Sequence, residues 1–210
     1  MRELQISREV ATKIPTQYGT FELSLFRNSL DETENMALVL GELAGGEGVL
    51  TRVHSECFTG DVLGSFRCDC GEQLDQSLHM IGRARRGVLL YLRQEGRGIG
   101  LRDKLRAYNL QDQGLDTVEA NLRLGHRADE RDYRVAALML EELQVWSVNL
   151  ITNNPAKIDG LRRLGVRVSR RTAIEIPARP ENAGYLRTKV QRMDHLLNLG
   201  SPFHFSEDQA

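Results

Sequence analysis

The period of the apolar residues changes partway along the chain, and that change limits the folds open to it. Up to Val53 apolar and polar residues alternate, in Thr20-Phe21-Glu22-Leu23-Ser24-Leu25-Phe26, in Met36-Ala37-Leu38-Val39-Leu40 and in Val49-Leu50-Thr51-Arg52-Val53. Alternation puts every second side chain on one face of an extended strand, so this stretch predicts a β-rich half. From Leu74 the spacing becomes helical, with short apolar runs between: Leu74, Leu78 and Ile81 share a helix face, and Gly87 precedes the strand Val88-Leu89-Leu90-Tyr91-Leu92. Asp129 is expected to cap a helix with Tyr133, Ala136, Ala137, Leu140 and Leu143 on one face, leading into the strand Val148-Asn149-Leu150-Ile151-Thr152. Pro155, after Asn153-Asn154, suits the first position of a further helix that Gly165 stops, and Val166-Arg167-Val168 continues as a strand. A last helix carries Leu186, Val190, Met193 and Leu197.

The expected fold class is therefore mixed α/β (α+β), a β-rich N-terminal half followed by alternating helices and strands. No repeat, low-complexity tract or linker divides the chain, so residues 1–200 are expected to form one domain, with 201–210 a flexible tail. A hydrophobic content of 40% is enough to build a core. With 28 basic against 29 acidic residues and 6% aromatics, the charge excess and stacking stripe of a nucleic-acid binder are missing. No apolar run has the length of a membrane span and the start lacks a signal-peptide core, which makes a cytoplasmic protein the expectation.

Three cysteines are spaced Cys57-x10-Cys68-x-Cys70, an odd number in a short stretch that suits reduced thiols rather than a disulfide framework. Cys68 and Cys70 stand among Arg67, Asp69 and Glu72, a poor setting for thiols serving as core filler. A structural zinc site closes with four protein ligands, whereas a catalytic one supplies three and leaves a position to water. Three thiolates fit the open form; completion by His54 would give a closed structural site, and plain buried cysteines are the third reading. Zinc held there would lower the pKa of a bound water and point to hydrolysis.

Gln94-Glu95-Gly96-Arg97-Gly98-Ile99-Gly100-Leu101-Arg102 joins a strand to a helix. Such a glycine-rich loop lets backbone N–H groups approach phosphate while Arg97 and Arg102 pair with it; as an alternative it is a turn with solvated arginines. No Walker-type phosphate loop occurs, which disfavours a nucleotide switch or motor. Asp129-Glu130-Arg131-Asp132 offers a carboxylate base and a phosphate-pairing arginine, or simply a capped helix start. Thr152 and Lys157 flank a strand-to-helix turn, a usual place for ligand groups in α/β folds.

Taken in order, Arg52-Val53-His54-Ser55-Glu56-Cys57, Cys68-Asp69-Cys70-Gly71, Arg93-Gln94-Glu95-Gly96-Arg97, Leu110-Gln111-Asp112-Gln113-Gly114, Asp129-Glu130-Arg131-Asp132 and Thr152-Asn153-Asn154-Pro155 resemble the GTP cyclohydrolase II family over nearly the whole chain. The resemblance implies zinc ligands at Cys57, Cys68 and Cys70. It implies GTP contacts at Arg52, Val53, His54, Ser55, Glu56, Gln73, Glu95, Gly96, Arg97, Thr117, Thr152 and Lys157. Asp129 falls in the place of a proton acceptor, Arg131 in that of a phosphoryl nucleophile and Tyr108 in that of a tyrosine needed for ring opening. It further implies magnesium on the triphosphate, a homodimer, no nucleic-acid or membrane partner, and the opening of the guanine imidazole ring of GTP with loss of formate and pyrophosphate, at the start of riboflavin or related biosynthesis. Arginine is normally protonated, so charge stabilisation is an easier task for Arg131 than attack, and both roles stand. Gln73 and Glu56 are the groups suited to reading the guanine edge. With 210 residues there is no room for a 3,4-dihydroxybutanone-phosphate synthase segment, and a stand-alone enzyme is expected. Two other functions compete: a variant that stops at the formamidopyrimidine nucleotide, against which Tyr108 argues, and a structural-zinc RNA-binding or interaction module.

Overall fold

The computed structural model describes residues 4–31 and 33–197; the tail expected at 201–210 lies outside them. In chain order the elements are β1 (Ile6–Thr16), β2 (Gly19–Asn28), β3 (Asn35–Leu40), β4 (Val49–Ser55), α1 (Phe58–Asp61), α2 (Cys70–Ala84), β5 (Gly87–Leu92), a 3-10 turn (Glu95–Gly98), α3 (Gly100–Gln111), α4 (Thr117–Arg123), α5 (Arg134–Glu142), β6 (Val148–Ile151), α6 (Pro155–Arg163), β7 (Val168–Thr172) and α7 (Ala183–Met193).

All seven strands join one sheet in the order β1-β2-β3-β5-β4-β6-β7. The β1 to β5 side is antiparallel and the β5-β4-β6-β7 side parallel. The period switch in the sequence thus marks a switch in pairing. On β5, Val88, Leu90 and Leu92 enter one core with Met139, Leu140 and Leu161 from α5 and α6, while Leu89 enters a second with Phe21, Ile81 and Ile174. Helices cover both faces there, which is why that strand reads as a continuous apolar run instead of an alternating one. Parallel strands covered on both faces open a crevice at their carboxyl ends, where ligands bind in α/β sheets. The segments leaving β4, β5 and β6 are the ones that carry Cys57, Arg97 and Lys157.

Several boundaries differ from expectation. Asp129 does not cap a helix: α5 starts at Arg134 after Tyr133, because the Asp129 carboxylate is taken by the backbone and guanidinium of Arg131, and residues 129–132 stay outside regular structure. The strand placed at Val166–Val168 runs instead from Val168 to Thr172, because Val166 closes the turn after α6 by donating to the Leu161 carbonyl. Leu197 is not on the last helix, which ends at Met193 where Asp194 turns left-handed. Pro155 does open α6, with Asn154 as cap accepting from the Lys157 N–H.

Candidate active site

A cleft opens at the carboxyl ends of the parallel strands. One wall carries sulfur. Cys57 ends the segment after β4, and Cys70 is the first residue of α2. The three Sγ atoms lie within 4.8 Å of one another, those of Cys57 and Cys68 3.6 Å apart. Tetrahedral zinc with Zn–S distances of ~2.3 Å separates its sulfurs by about 3.8 Å, so this triad fits that ion. A Cβ on Gly60 would stand 2.9 Å from Cys68 Sγ, and the missing side chain is what lets α1 pack against the cluster. His54 is not a fourth ligand: its Nε2 lies 3.0 Å from Asp61, which also accepts from the Tyr91 hydroxyl and the Cys57 N–H.

Hydrogen bonds from the Cys68 and Cys70 thiols, reinforced by Lys104, hold Cys57 far below the usual thiol range. The bond to Cys57 pushes Cys68 up to about 11, and Cys70 is raised for the same reason. A bound divalent cation would draw the remaining protons off the triad. Lys104 and Tyr108 lie one turn apart on α3 and so face the same way. Lys104 Nζ sits 3.1 Å from Cys57 Sγ and 2.8 Å from Glu95, and the Tyr108 hydroxyl lies 3.2 Å from Thr59 Oγ1. Burial raises the Tyr108 pKa, which keeps the phenol protonated at neutral pH.

The opposite wall is cationic. Arg52 donates to the Ile151 carbonyl at 3.1 Å and to Gln73 Oε1 at 2.7 Å. Lys157 Nζ reaches the Val53 carbonyl at 2.5 Å, and burial together with the nearby charges of Arg52 and Arg131 drives its pKa well below the lysine range. Arg131 is forked onto Asp129 at 2.9 and 3.1 Å. Burial works against its charge, but Tyr133 and Asp129 outweigh it and the pKa rises. Arg52 Nε and Arg97 Nη1 are buried with no hydrogen-bond partner among the described residues. Buried donors left over in this way suit an anionic ligand.

The loops holding Arg97 and Arg131 are bound together. Glu130 N–H donates to the Arg97 carbonyl, Asp132 N–H to Gln94 Oε1, and a Cβ on Gly98 would meet the Glu130 oxygen at 2.9 Å. Gly96 and Arg97 are both left-handed, with φ of 62° each, so this loop needs its glycines for turn geometry as well as for close approach. Thr152 Oγ1 accepts from the Asn154 N–H, Ser55 Oγ accepts from Gln94, and Glu56 is engaged by Arg93 at 2.9 Å.

Of the residues singled out from the sequence, the three cysteines, Arg52, His54, Ser55, Glu56, Gln73, Glu95, Gly96, Arg97, Tyr108, Thr117, Arg131, Thr152 and Lys157 all line this one cleft. Val53 points into the core and offers only its carbonyl, while Asp129 stands behind Arg131. Sequence reasoning missed Lys104, Asp61, Tyr185 and Lys189. Lys104 had a signal, its spacing of four from Tyr108 on a helix; the others had none short of the fold.

Three sulfurs compatible with a metal on one wall, buried cations on the other and a phenol beside the sulfurs are the arrangement of a hydrolase. The chain belongs to the GTP cyclohydrolase II family, whose profile matches residues 7–173. It is 55% identical over 197 residues to "Riboflavin biosynthesis protein RibBA" of Bacillus cereus (strain B4264), covering 94% of this chain and 50% of that one. The protein of the same name from Bacillus cytotoxicus is 53% identical with the same coverage. The chain thus spans about half the length of these curated relatives. A solved two-domain 3,4-dihydroxy-2-butanone 4-phosphate synthase from A. baumannii, RibBX, matches 81% of this chain and 40% of its own at 23% identity and a TM-score of 0.45. Among the described residues, no helix is long and apolar enough to cross a membrane.

Proposed function

We propose that this protein binds GTP with magnesium in the cleft and opens the guanine imidazole ring by hydrolysis, releasing formate and pyrophosphate and leaving a diaminopyrimidine ribonucleotide phosphate, as a cytoplasmic homodimer in riboflavin biosynthesis. The observation that carries this reading is the opposition of the three-sulfur cluster to a buried cationic wall across one cleft in a member of this family. Zinc held by Cys57, Cys68 and Cys70 would supply Lewis acidity and an acidified water at the base end of the substrate. Arg97, Arg131 and Lys157 receive the triphosphate, whose remaining charge magnesium would share. Gln73, its oxygen held by Arg52, meets the purine edge. Tyr108, protonated and next to the sulfurs, gives a proton to the ring nitrogen as the ring opens. Thr117, Thr152, Ser55, His54, Glu56, Glu95, Gly96 and the Val53 carbonyl complete the substrate wall.

Arg131 acts here as a stabiliser of charge at the α-phosphorus and not as a nucleophile. Its pKa is raised, and Asp129, although burial opposes its charge, is held below the carboxylate range by Arg131. A guanidinium paired in this way keeps its proton. The test is to incubate the zinc-loaded protein with GTP and magnesium, quantify formate and pyrophosphate, and identify the nucleotide by mass. Both products with a diaminopyrimidine nucleotide are expected. Pyrophosphate with a formylated nucleotide would reassign the chain to the arrested variant, and absence of turnover despite bound zinc would sink the enzyme reading in favour of a structural-zinc module. Sedimentation of the same sample reads the oligomeric state.

A further inference from the structure

The family match ends at residue 173, yet α7 lies beyond it and sends Tyr185 and Lys189 into the cleft wall. Lys189 is 7% exposed and Asp69 1%. Lys189 Nζ stands 2.5 Å from Asp69 Oδ1, over the ring of Tyr185 at 4.5 Å. Asp69 Oδ2 accepts from Gln73 Nε2 at 2.6 Å, Gln73 Oε1 accepts from Arg52 at 2.7 Å, and Arg52 donates onward to the Ile151 carbonyl. Four buried side chains thereby link α7, through the start of α2, to β4 and the end of β6.

The ends of this relay dictate its middle. A carboxylate paired with an ammonium offers only acceptors and a guanidinium only donors, so Gln73 must turn its amino group to Asp69 and its oxygen to Arg52. Rotating the amide by half a turn would set oxygen against oxygen and N–H against N–H. Two of its four hydrogen-bonding positions are consumed, which leaves one N–H and one carbonyl lone pair for a ligand in the cleft.

We propose that Lys189 and Asp69 are positioning residues that fix the amide orientation of Gln73, and that α7 is thereby a specificity element of the site, presenting a donor and an acceptor in set order to the purine edge. The proposal rests on reading the cleft as a GTP site. Removing the ammonium leaves a buried carboxylate without its counter-charge, and Asp69 turns to water instead of holding the Gln73 amino group in place. Only the Arg52 end of the relay then orients the amide, which is no longer fixed from both sides.

The test uses the full chain with Lys189→Met and Asp69→Asn, measuring kcat, KM and calorimetric Kd for GTP and for ITP, which lacks the 2-amino group. Loss of one oriented hydrogen-bonding edge is expected to cut the preference for GTP over ITP by about 10-fold, with the change in KM rather than kcat. Lys189→Arg should restore the preference. Zinc content and melting temperature are read on every variant, and if Lys189→Met does not fold, the isosteric Asp69→Asn carries the test. An unchanged GTP-to-ITP ratio overturns the proposal, as does an equal fall in kcat for both nucleotides, which is what a merely structural role produces. Wild-type protein that neither binds nor turns over GTP overturns the functional reading and this inference with it, whereas wild-type turnover with an unchanged ratio removes this inference alone.

Discussion

Cys57 and Lys157 both stand just beyond the carboxyl end of a parallel strand and face the same cleft, yet their surroundings treat charge in opposite ways. Around Cys57 every charge touches one of opposite sign: a thiolate, the Lys104 ammonium and the Glu95 carboxylate lie in series. Around Lys157 this is not so. Its neighbours Arg52 and Arg131 repel it, and a backbone carbonyl is its hydrogen-bond partner. The sulfur wall is assembled for a cation and supplied with a counter-charge, while the cationic wall awaits an anion. Two walls built on different terms should fail separately.

The largest separation is expected from Cys68→Ser. Tight zinc binding and formate release should both disappear while GTP still binds, as metal analysis, formate assay and calorimetry would record; retained formate release would mean that the sulfurs are not the ring-opening wall. Next, Tyr108→Phe should lower formate release by about 10²- to 10⁴-fold and let the formylated nucleotide accumulate, with pyrophosphate release little changed. An unchanged formate yield removes Tyr108 from proton transfer. On the other wall, Arg131→Met should slow pyrophosphate release by about 10²- to 10³-fold while zinc content stays that of wild type. Intact-mass analysis of quenched wild-type reactions should show no nucleotide attached to the protein, and an adduct on Arg131 would restore the nucleophile.

The smallest effect concerns Lys157 and runs in two directions. Lys157→Met should raise KM for GTP by about 10-fold, through the loss of one charge-assisted contact, and at the same time raise stability at neutral pH by about 1 kcal/mol. The sign follows from proton counting. The folded-state pKa lies below the ordinary 10.5, so the unfolded chain binds more protons between the two values, and stability rises with pH across that window. The Met variant should lose this slope in denaturant titrations repeated at several pH values. A destabilised variant would show instead that the hydrogen bond to the Val53 carbonyl outweighs the cost of burying Lys157.

How far the sequence foretold each wall follows from the kind of contact involved. The parallel core was legible because strands covered on both faces must be apolar throughout, as Val88 to Leu92 are. Strand β1 was not, since from Arg8 to Lys13 it is exposed on both faces and leaves no alternation to find. Helix α4 carried a readable signal in Asp116 and Glu119, a reciprocal capping box. The cysteines were legible through spacing, and Arg97 through its glycines. Asp129 misled because an aspartate ahead of a helical pattern looks like a cap whether or not an arginine two residues on captures it. Lys189 and Asp69 are 120 residues apart, and a pair at that distance becomes visible only when the fold brings α7 onto α2.

Arg97 holds a left-handed backbone that glycine adopts freely and that costs an L-residue about 1–2 kcal/mol. An unbiased screen of every single substitution, scored for thermal resistance alone and with no nucleotide present, should therefore find gains at Arg97→Gly and at Lys157→Met. Arg85, Gln144 and Asp194 share that backbone and should gain likewise on replacement by glycine, but none of them lines the cleft. Within the cleft, the positions that gain would then mark the end proposed to receive phosphate.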